Sequence, residues 1–291
     1  MTNTQLEIRG QDYSKIILPL ARQEKSKLYD RVYLKTNIVG KSFYQDQIGK
    51  WEMSQKTGYN VTTPENDPNL SRTRVDIATY HDARLLDRSL NLQAFTDPMS
   101  EASMCISSSV GIQIDKIIYD ALGGTAFRGE TGANSITFPA VKTVASGGTG
   151  LTVEKLRKAS KLMNAEGVPT SDRTIVLSAT GLEQLLGNTE VTSADYNNVK
   201  TLVAGDVDTF MGFKFITLPD GIIKKNAQDE EEYFAFHKTG ICFGMLEELF
   251  IQMEARADKS YSKQVYYEIN CGAGRLEEAK VIKINAVVTA E

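Results

Sequence analysis

Residues 151–219 constrain the fold of this chain more than any other stretch, because helix and strand signals follow one another there with clear ends. An amphipathic stretch begins at Thr152, a suitable helix cap, and has an apolar stripe at helical spacing. Gly167 stops this helix and Pro169 prevents its continuation. The sequence therefore predicts one well-delimited amphipathic helix at the start of the block.

The rest of the block alternates between strands and helices. The composition of residues 173–177, a run led by Arg173, predicts a short buried strand. Thr180 with Glu183 predicts a capping box on a second helix. Residues 193–204 predict another helix, and residues 210–218 predict a strand bent at Gly212. None of these positions carries a residue pattern typical of catalysis. The block predicts architecture rather than chemistry.

The composition excludes several classes of protein. Hydrophobic residues make up 41% and charged residues 24% of the 291 positions, which is typical of a globular chain that forms a large core without disulfides. A net charge of -4 provides no global basic field to recruit nucleic acid. No window approaches the ~18 apolar residues of a membrane helix, and the N-terminus lacks the pattern of a signal peptide. We expect a protein made in cytoplasm-like conditions.

Residues 1–36 predict a helix-prone N-terminal arm with a mild basic excess. Residues 37–82 differ, because two strand-like runs flank a polar middle rich in turn residues, which predicts a long hairpin. An isolated hairpin is marginally stable in water, so this one needs a supporting surface, either in its own chain or in a neighbouring subunit. Its aromatic residues Phe43, Tyr44 and Trp51 favour an interface over a cofactor site.

Residues 98–122 predict a long helix with Asp97 as its cap and glycines 123 and 124 as its stop. Ser107–Ser109 lowers its helix propensity, so packing must hold it. Residues 136–144 predict a strand, and four further strands are predicted in the last third of the chain. Because strands and helices are interspersed without a βαβ rhythm, the predicted class is α+β.

The sequence contains no motif that predicts a catalytic, cofactor or metal site. The glycine-rich run 146–150 lacks the Lys-Ser/Thr of a phosphate loop, and the run 271–276 fits a tight turn between strands better than a dinucleotide loop. His81 and His237 stand far from other ligand-type residues, and the acidic run 229–232 is typical of a solvated loop. The cysteines at 105, 242 and 271 are expected to be small apolar residues. The chain is not predicted to be an enzyme.

The order of these elements resembles the major capsid proteins of tailed bacteriophages. The resemblance lies in LRKASKLMNAEGVPTSDRTIVLSATGLEQLL, in MGFKFITLP, and in the late segments ICFGMLEEL and GAGRLEEAKVIKINA. It spans nearly the whole chain and implies the Hong Kong ninety-seven capsid fold. The resemblance implies an N-terminal arm at 1–36, an extended loop at 37–82 and an axial domain at 170–255. It implies a peripheral domain formed by 83–169 and 256–291, with a spine helix at 98–122.

The resemblance also implies a function. The chain would self-assemble into hexamers and pentamers of an icosahedral shell, enclose double-stranded DNA without sequence specificity, and work with a separate scaffolding protein, a portal and a decoration protein. It would be located in the virion after assembly in the bacterial cytoplasm, with no cofactor and no membrane. The expected inter-subunit contacts are Phe43, Tyr44, Trp51, Arg72 and Arg74.

Two alternatives remain at this stage. Encapsulin shells, which enclose protein cargo, share the same fold and are of similar length. A soluble enzyme with a dispersed site is the alternative from a different class. Some capsid proteins of this fold form Lys–Asn crosslinks. Lys50 and Lys56 lie in the loop, but neither an acceptor asparagine nor a catalytic carboxylate can be matched to them, so crosslinking is not predicted.

Overall fold

A computed structural model of the chain describes residues 23, 25–51, 53–63, 70–86, 98–187, 209–219 and 221–288. The α-helices in these ranges are α1 (Pro98–Gly123), α2 (Val153–Ala165) and α3 (Ala179–Leu186). The strands are β1 (Tyr33–Lys35), β2 (Ser42–Ile48), β3 (Leu70–Asp76), β4 (Ala78–Leu86), β5 (Ala126–Arg128), β6 (Asn134–Ile136), β7 (Thr143–Val144), β8 (Arg173–Leu177), β9 (Thr209–Phe210), β10 (Phe213–Thr217), β11 (Glu230–His237), β12 (Ile241–Arg256), β13 (Ser262–Arg275) and β14 (Val281–Val287). The mixture confirms the predicted α+β class.

The largest sheet has six strands in the order β7-β14-β11-β8-β10-β9. At its centre β8 pairs in parallel with β10 and antiparallel with β11. Every residue of β8 is buried, as its apolar composition predicts. Helix α2 packs on this sheet through Leu156, Ala159 and Met163, which are fully buried. The helix and strand predicted at the start of the block are both confirmed.

A second sheet, in the order β1-β12-β13-β4, is built on the long antiparallel hairpin of β12 and β13. Helix α1 packs against this hairpin, and Ile118 and Leu122 are fully buried in the same core as Ile269 and Cys271. The predicted helix 98–122 is confirmed, with an observed end at Gly123. Its predicted cap, Asp97, lies outside the described residues, as does the helix predicted at 193–204.

The third sheet, β2-β3-β5-β6, confirms the predicted hairpin over residues 42–76 and shows what supports its base. Residues 78–82, predicted as part of its second strand, instead lie in β4 and pair with β13. Strands β2 and β3 pair antiparallel from Ser42↔Asp76 to Ile48↔Leu70. Beyond β3, the sheet continues through β5 of the same chain, where Thr73 pairs with Arg128. The base of the hairpin is therefore supported by its own chain.

The prediction of a helical N-terminal arm is wrong where the structure describes it. Residues 29–31 form a 3-10 turn, and β1 follows, pairing in parallel with β12. The reason is a long-range contact, because the buried carboxylate of Asp115 on α1 accepts hydrogen bonds from Lys27 N at 3.1 Å and Leu28 N at 2.9 Å. These amides therefore do not donate to backbone carbonyl groups of a continuous helix. Residues 1–22 lie outside the described residues.

Two other local predictions are wrong. Residues 137–142 do not continue a strand, because Pro139 is followed by a 3-10 turn that separates β6 from β7. The short helix α3 is capped by Ser178, whose side chain accepts a hydrogen bond from Gly181 N at 3.0 Å, so Thr180 and Glu183 do not form the cap.

The structures of residues 271–276 and 210–218 also differ from the predicted ones. Residues 271–275 are the end of β13 rather than a turn, because Gly272 lets that strand pass against the backbone of Asp76. At 210–218, Met211 and Gly212 both have positive φ, and they form a tight reverse turn joining β9 to β10. The single bent strand is thus a small hairpin.

The predicted domain boundaries remain predictions. The strand pairings show which segments on either side of these boundaries share a sheet. Residue 255, the predicted end of the axial domain, lies inside β12, which pairs with β13 along most of its length. The last strand, β14, pairs with β11 in the six-stranded sheet. No helix among the described residues is long and apolar enough to cross a membrane.

The cysteines are not all alike. Cys242 and Cys271 are fully buried, as expected of small apolar residues, whereas Cys105 is exposed on α1. Burial raises the pKa of the Cys242 and Cys271 thiols to about 12. Because the unfolded chain releases these protons from a pH of roughly 9 while the folded chain keeps them, stability is present below that pH and is lost as pH rises toward 12.

We therefore expect Cys271→Ala to weaken the alkaline loss of stability. Between pH 8 and pH 10 the free energy of unfolding of the natural protein should fall by roughly 1.4 kcal/mol more than that of the variant, since one released proton contributes about 1.4 kcal/mol per pH unit above a pH of roughly 9. Urea unfolding of both proteins at the two pH values measures this difference and cancels the other titrating groups. Equal losses in both proteins would contradict it.

Candidate inter-subunit surface

The pairing between the two strands of the extended loop ends at Ile48 and Leu70. The described residues 53–63, beyond the paired part of the hairpin, are all exposed. Large apolar side chains are nevertheless frequent here: Trp51 is 74% exposed, and Met53 and Tyr59 are fully exposed. We call the exposed apolar set of this loop the arm tip; it consists of Ile48, Trp51, Met53, Tyr59, Val61 and Leu70.

The arm tip is a candidate contact surface for physical reasons. Single exposed apolar residues are normal, but several close together on a projecting loop are typical of a surface that becomes buried in an assembly. Trp and Tyr also contribute most to protein–protein binding when they enter a partner's pocket. The sequence alone singled out Trp51 but missed Met53, which lies near the end of the first strand-like run, and Tyr59, which lies in the polar run that predicted the turn.

Phe43, one of the predicted contact residues, serves the chain itself. Successive side chains of a strand point to opposite faces, so Phe43 and Tyr44 on β2 cannot share a surface. Phe43 is only 6% exposed and packs with Ile38, Val75 and Cys242. It fixes the base of the hairpin against β12, and we leave it out of the proposed interface.

Tyr44 and Arg72 lie on the exposed face of the hairpin. Arg72 Nε donates to Asp46 Oδ1 at 2.6 Å across β2 and β3, and its guanidinium lies 5.6 Å from the centre of the Tyr44 ring. The hydrogen bond from Arg72 lowers the pKa of the Asp46 carboxyl. Arg72 lies over one face of the Tyr44 ring, and Tyr44 remains 38% exposed.

Arg74 is held by its own chain. Its guanidinium lies 5.3 Å from the centre of the Phe127 ring on β5, contacts Asp76 at 3.1 Å, and donates to Thr131 O at 3.3 Å. Gly132 lies against this side chain, and a Cβ at that position would approach the Arg74 Cβ to 2.6 Å. Arg74 therefore fastens the hairpin to the strand beside it, and only its outer edge is open.

Lys50 and Lys142 both lie at the C-terminal end of α2. Lys50 Nζ donates to Glu166 O at 3.0 Å, and Lys142 Nζ bonds Glu166 Oε1 at 2.6 Å. Cations are favourable at a helix C-terminus because its carbonyl groups carry partial negative charge. The foot of the loop is thus anchored on α2 as well as on β5.

The two histidines lie in different surroundings. His237 is buried, with Nδ1 3.0 Å from Thr239 Oγ1, and burial lowers its pKa. His81 is exposed at the rim of a cleft of about 390 Å³ between β4 and α1. In the ranges that the structure describes, no group of histidine, cysteine, aspartate and glutamate side chains could hold a metal ion.

The acidic run 229–232 is not a free cation site. Glu230 accepts hydrogen bonds from Ser146 and Asn226, Glu231 accepts one from Ser178 at 2.6 Å, and Glu232 pairs with Lys283 at 2.9 Å. These partners neutralise or satisfy the carboxylates within the sheet. The run therefore stabilises β11 rather than binding an ion.

The glycine-rich loop 146–150 presents carbonyl oxygens rather than amides. Lys155 Nζ donates to Thr149 O and Gly150 O, both at 2.7 Å, and to Asn285 O at 3.1 Å. Three carbonyl partners match the three donors of a lysine ammonium. Burial lowers the pKa of Lys155 to about 8. A phosphate loop needs amides that point at the ligand, so this arrangement does not fit one.

The comparisons with known proteins agree with this architecture. Residues 8–288 match a protein family described as "Phage capsid protein". The capsid structure of cyanophage P-SCSP1u is similar with a TM-score of 0.71 and 13% identity over 99% of both chains. The capsid of Ralstonia phage GP4 gives a TM-score of 0.72 and 11% identity over 97% of this chain and 96% of that one.

A third structure, the acid-stable capsid of Helicobacter pylori bacteriophage KHP30, gives a TM-score of 0.72 and 11% identity over 96% of each chain. No curated protein sequence matches the chain. The identities are low, so these structures establish the fold, while the family match extends over nearly the whole length. This chain therefore belongs to the phage capsid protein family and has the tailed-phage capsid fold.

Proposed function

We propose that this chain is the major capsid protein of a tailed double-stranded DNA phage, and that it self-assembles into the hexamers and pentamers of an icosahedral head. The observation that carries the proposal is the exposed arm tip on a chain of the phage capsid family. A projecting loop with several uncovered apolar side chains is costly in an isolated subunit and favourable in a shell.

The arm tip would lie on the adjacent subunit. Trp51, Met53 and Tyr59 would supply most of the binding energy, with Tyr44, Arg72 and the outer edge of Arg74 as flanking contacts. An interface of standard size buries about 800 Å² on each partner. Each subunit would both extend its loop and receive one, so the contacts would run around a capsomer in one direction.

The predicted division of the chain is proposed with it. Residues 170–255 would form the axial domain, and residues 83–169 with 256–291 would form the peripheral domain, whose spine is α1. Helix α1 has 26 residues and is therefore about 39 Å long, which suits a rigid strut in a thin wall.

The proposed partners follow from the charge and the chemistry of the chain. A net charge of -4 suits a wall that encloses DNA without binding its sequence. A separate scaffolding protein, a portal and a decoration protein would complete the particle, with assembly in the bacterial cytoplasm. The chain would act as a wall subunit without catalysis, since its polar clusters are occupied by internal hydrogen bonds.

The triple variant Trp51→Ser, Met53→Ser, Tyr59→Ser is expected to fold and to fail in assembly. Each lost anchor removes about 1.5–3 kcal/mol of burial in the shell and none in the subunit, where the side chains are exposed. Circular dichroism checks the fold, and negative-stain electron microscopy of the protein expressed with its scaffold counts closed shells.

The matched control is Val39→Ser, which removes an apolar side chain that is also highly exposed but lies before the hairpin. It should assemble like the natural protein. Normal shells from the triple variant would show that the arm tip is not the contact surface. Shells that the natural protein forms without any scaffold, around an enzyme, would favour an encapsulin-like compartment instead.

A further inference from the structure

A charged cluster joins the sheet that carries the extended loop to the rest of the wall. We call it the arm joint, and it consists of Arg128, Arg275 and Glu278. Arg128 is the last residue of β5, the strand that pairs with β3 of the hairpin. Its Nη2 donates to Glu278 Oε2 at 2.6 Å and to Leu276 O at 2.8 Å. The loop's sheet is therefore tied by a charged contact to the segment that follows β13.

From Glu278 the contacts continue to the end of α1. Glu278 Oε1 lies 3.6 Å from Arg275 Nε, and Arg275 is buried among backbone carbonyl groups. Its Nη1 donates to Leu122 O at 3.0 Å and to Gly124 O at 2.6 Å, at the C-terminus of α1. A guanidinium there is favourable because the helix dipole is negative at that end. One connected set of charged contacts thus runs from the hairpin to the long helix.

Several polar atoms of the arm joint are buried without a hydrogen-bond partner among the described residues. Arg128 Nε, Arg275 Nε and Glu278 Oε1 are buried without hydrogen-bond partners in the part of the chain that the structure describes. Buried polar atoms are nearly always paired, so three unpaired ones in one cluster call for a reason. Arg275 Nε and Glu278 Oε1 are near enough to form a hydrogen bond after a shift of less than 1 Å. A small rotation of β5 about this cluster could therefore change which hydrogen bonds Arg275 and Glu278 form.

We propose that the arm joint sets the angle between the extended loop and α1, and thereby the angle at which neighbouring subunits meet. This inference rests on the proposed function. The paired part of the hairpin alone is about 23 Å long, because seven residues rise by roughly 3.3 Å each. A rotation of about 10° at its base displaces its far end by roughly 4 Å, enough to misplace the arm tip on its neighbour. Arg128 and Glu278 are positioning residues for assembly.

The test uses the full chain with Arg128→Met, Arg128→Lys and Glu278→Gln, and Lys158→Met as the matched control. Lys158 forms an exposed ion pair with Glu154 on α2, so the control also removes one paired cation but lies away from the joint. Electron microscopy of protein expressed with its scaffold measures the yield and diameter of closed shells. Hydrogen exchange of the unassembled subunits measures the opening of β5.

We expect Arg128→Met and Glu278→Gln to reduce closed shells roughly tenfold in favour of open sheets or tubes, since a hydrogen bond to a charged group contributes about that factor. The amides of β5 should exchange roughly tenfold faster in the unassembled subunits, while those of β8 should not change. Arg128→Lys keeps the cation beside Glu278 and should restore closed shells in part, which a general packing role would not predict. Lys158→Met should behave like the natural protein.

Wild-type-like shells and unchanged hydrogen exchange of β5 in Arg128→Met and Glu278→Gln would contradict the proposed role of the arm joint. Uniformly faster exchange across β5 and β8 would overturn it as well, because that result means general destabilisation. Failure of the natural protein to form shells would instead count against the proposed function. In that case the hydrogen exchange of β5 in the unassembled subunit still tests whether the arm joint holds β5 in place.

Discussion

Gly272→Ala should destabilise the folded subunit by about 3 kcal/mol or more, one of the largest effects expected from a single methyl group in this chain. A Cβ at this position would overlap the carbonyl oxygen of Asp76 and lie 3.1 Å from its carbonyl carbon. Here β13 passes the point where the chain leaves β3 for β4. Because the obstacle is backbone, only a shift of a whole strand could relieve the overlap.

Urea unfolding followed by circular dichroism measures this effect. Gly58→Ala is the matched control, because a Cβ there meets only the Val61 side chain at an ordinary 3.5 Å. We expect that change to be within about 0.5 kcal/mol of neutral, as is usual for exposed positions. Similar stability of the two variants would mean that β13 and the β3–β4 crossover are farther apart than described.

Asp115→Ala should destabilise the subunit by about 3–5 kcal/mol, because it leaves several buried donors without an acceptor. The Asp115 carboxylate is fully buried on α1 and accepts hydrogen bonds from Ser26 Oγ, Lys27 N, Leu28 N and the Gln23 side chain. Gly111, one turn earlier on α1, makes the approach possible, since a Cβ there would lie 2.7 Å from Ser26 N. The segment 25–28 should detach from α1 in the variant.

Two measurements test this prediction. Urea unfolding gives the loss of stability, and hydrogen exchange should show faster exchange at Lys27 N and Leu28 N than in the natural protein. Asp258→Ala is the control, because Asp258 makes an exposed ion pair with Arg256 that should contribute little to stability. Unchanged exchange at these amides in Asp115→Ala would contradict the assigned role of the carboxylate.

Local patterns predicted much of the secondary structure. The apolar spacing and terminal glycines of residues 98–122 gave α1, and those of 152–167 gave α2, because helix periodicity and capping depend on neighbours within one or two turns. The composition of 173–177 predicted β8 for a similar reason, since the β-branched residues 174–176 favour a strand wherever the chain places it. The resemblance in element order then predicted the family, which the family match confirms.

The errors occur where a distant residue outweighs the local signal. Residues 25–36 have helical spacing, but their amides bind Asp115, which is 88 positions from Lys27. The glycines at 272 and 274 look like a turn, yet they keep β13 extended against Asp76 and Val75. Phe43 and Tyr44 are adjacent aromatics in the sequence, and only the position of β12 decides which one is buried.

For the candidate surface, the sequence determined that a long hairpin exists and that it carries unusual aromatic residues. Only the tertiary structure decided that its base lies on its own chain through Phe43, Arg74 and Arg128, and that its tip does not. The physical reason is that local propensity acts over a few residues, whereas burial and charge pairing depend on which segments meet after the chain folds. The sequence thus determined the parts of a wall subunit, and the contacts between distant parts decided which side chains are left for its neighbours.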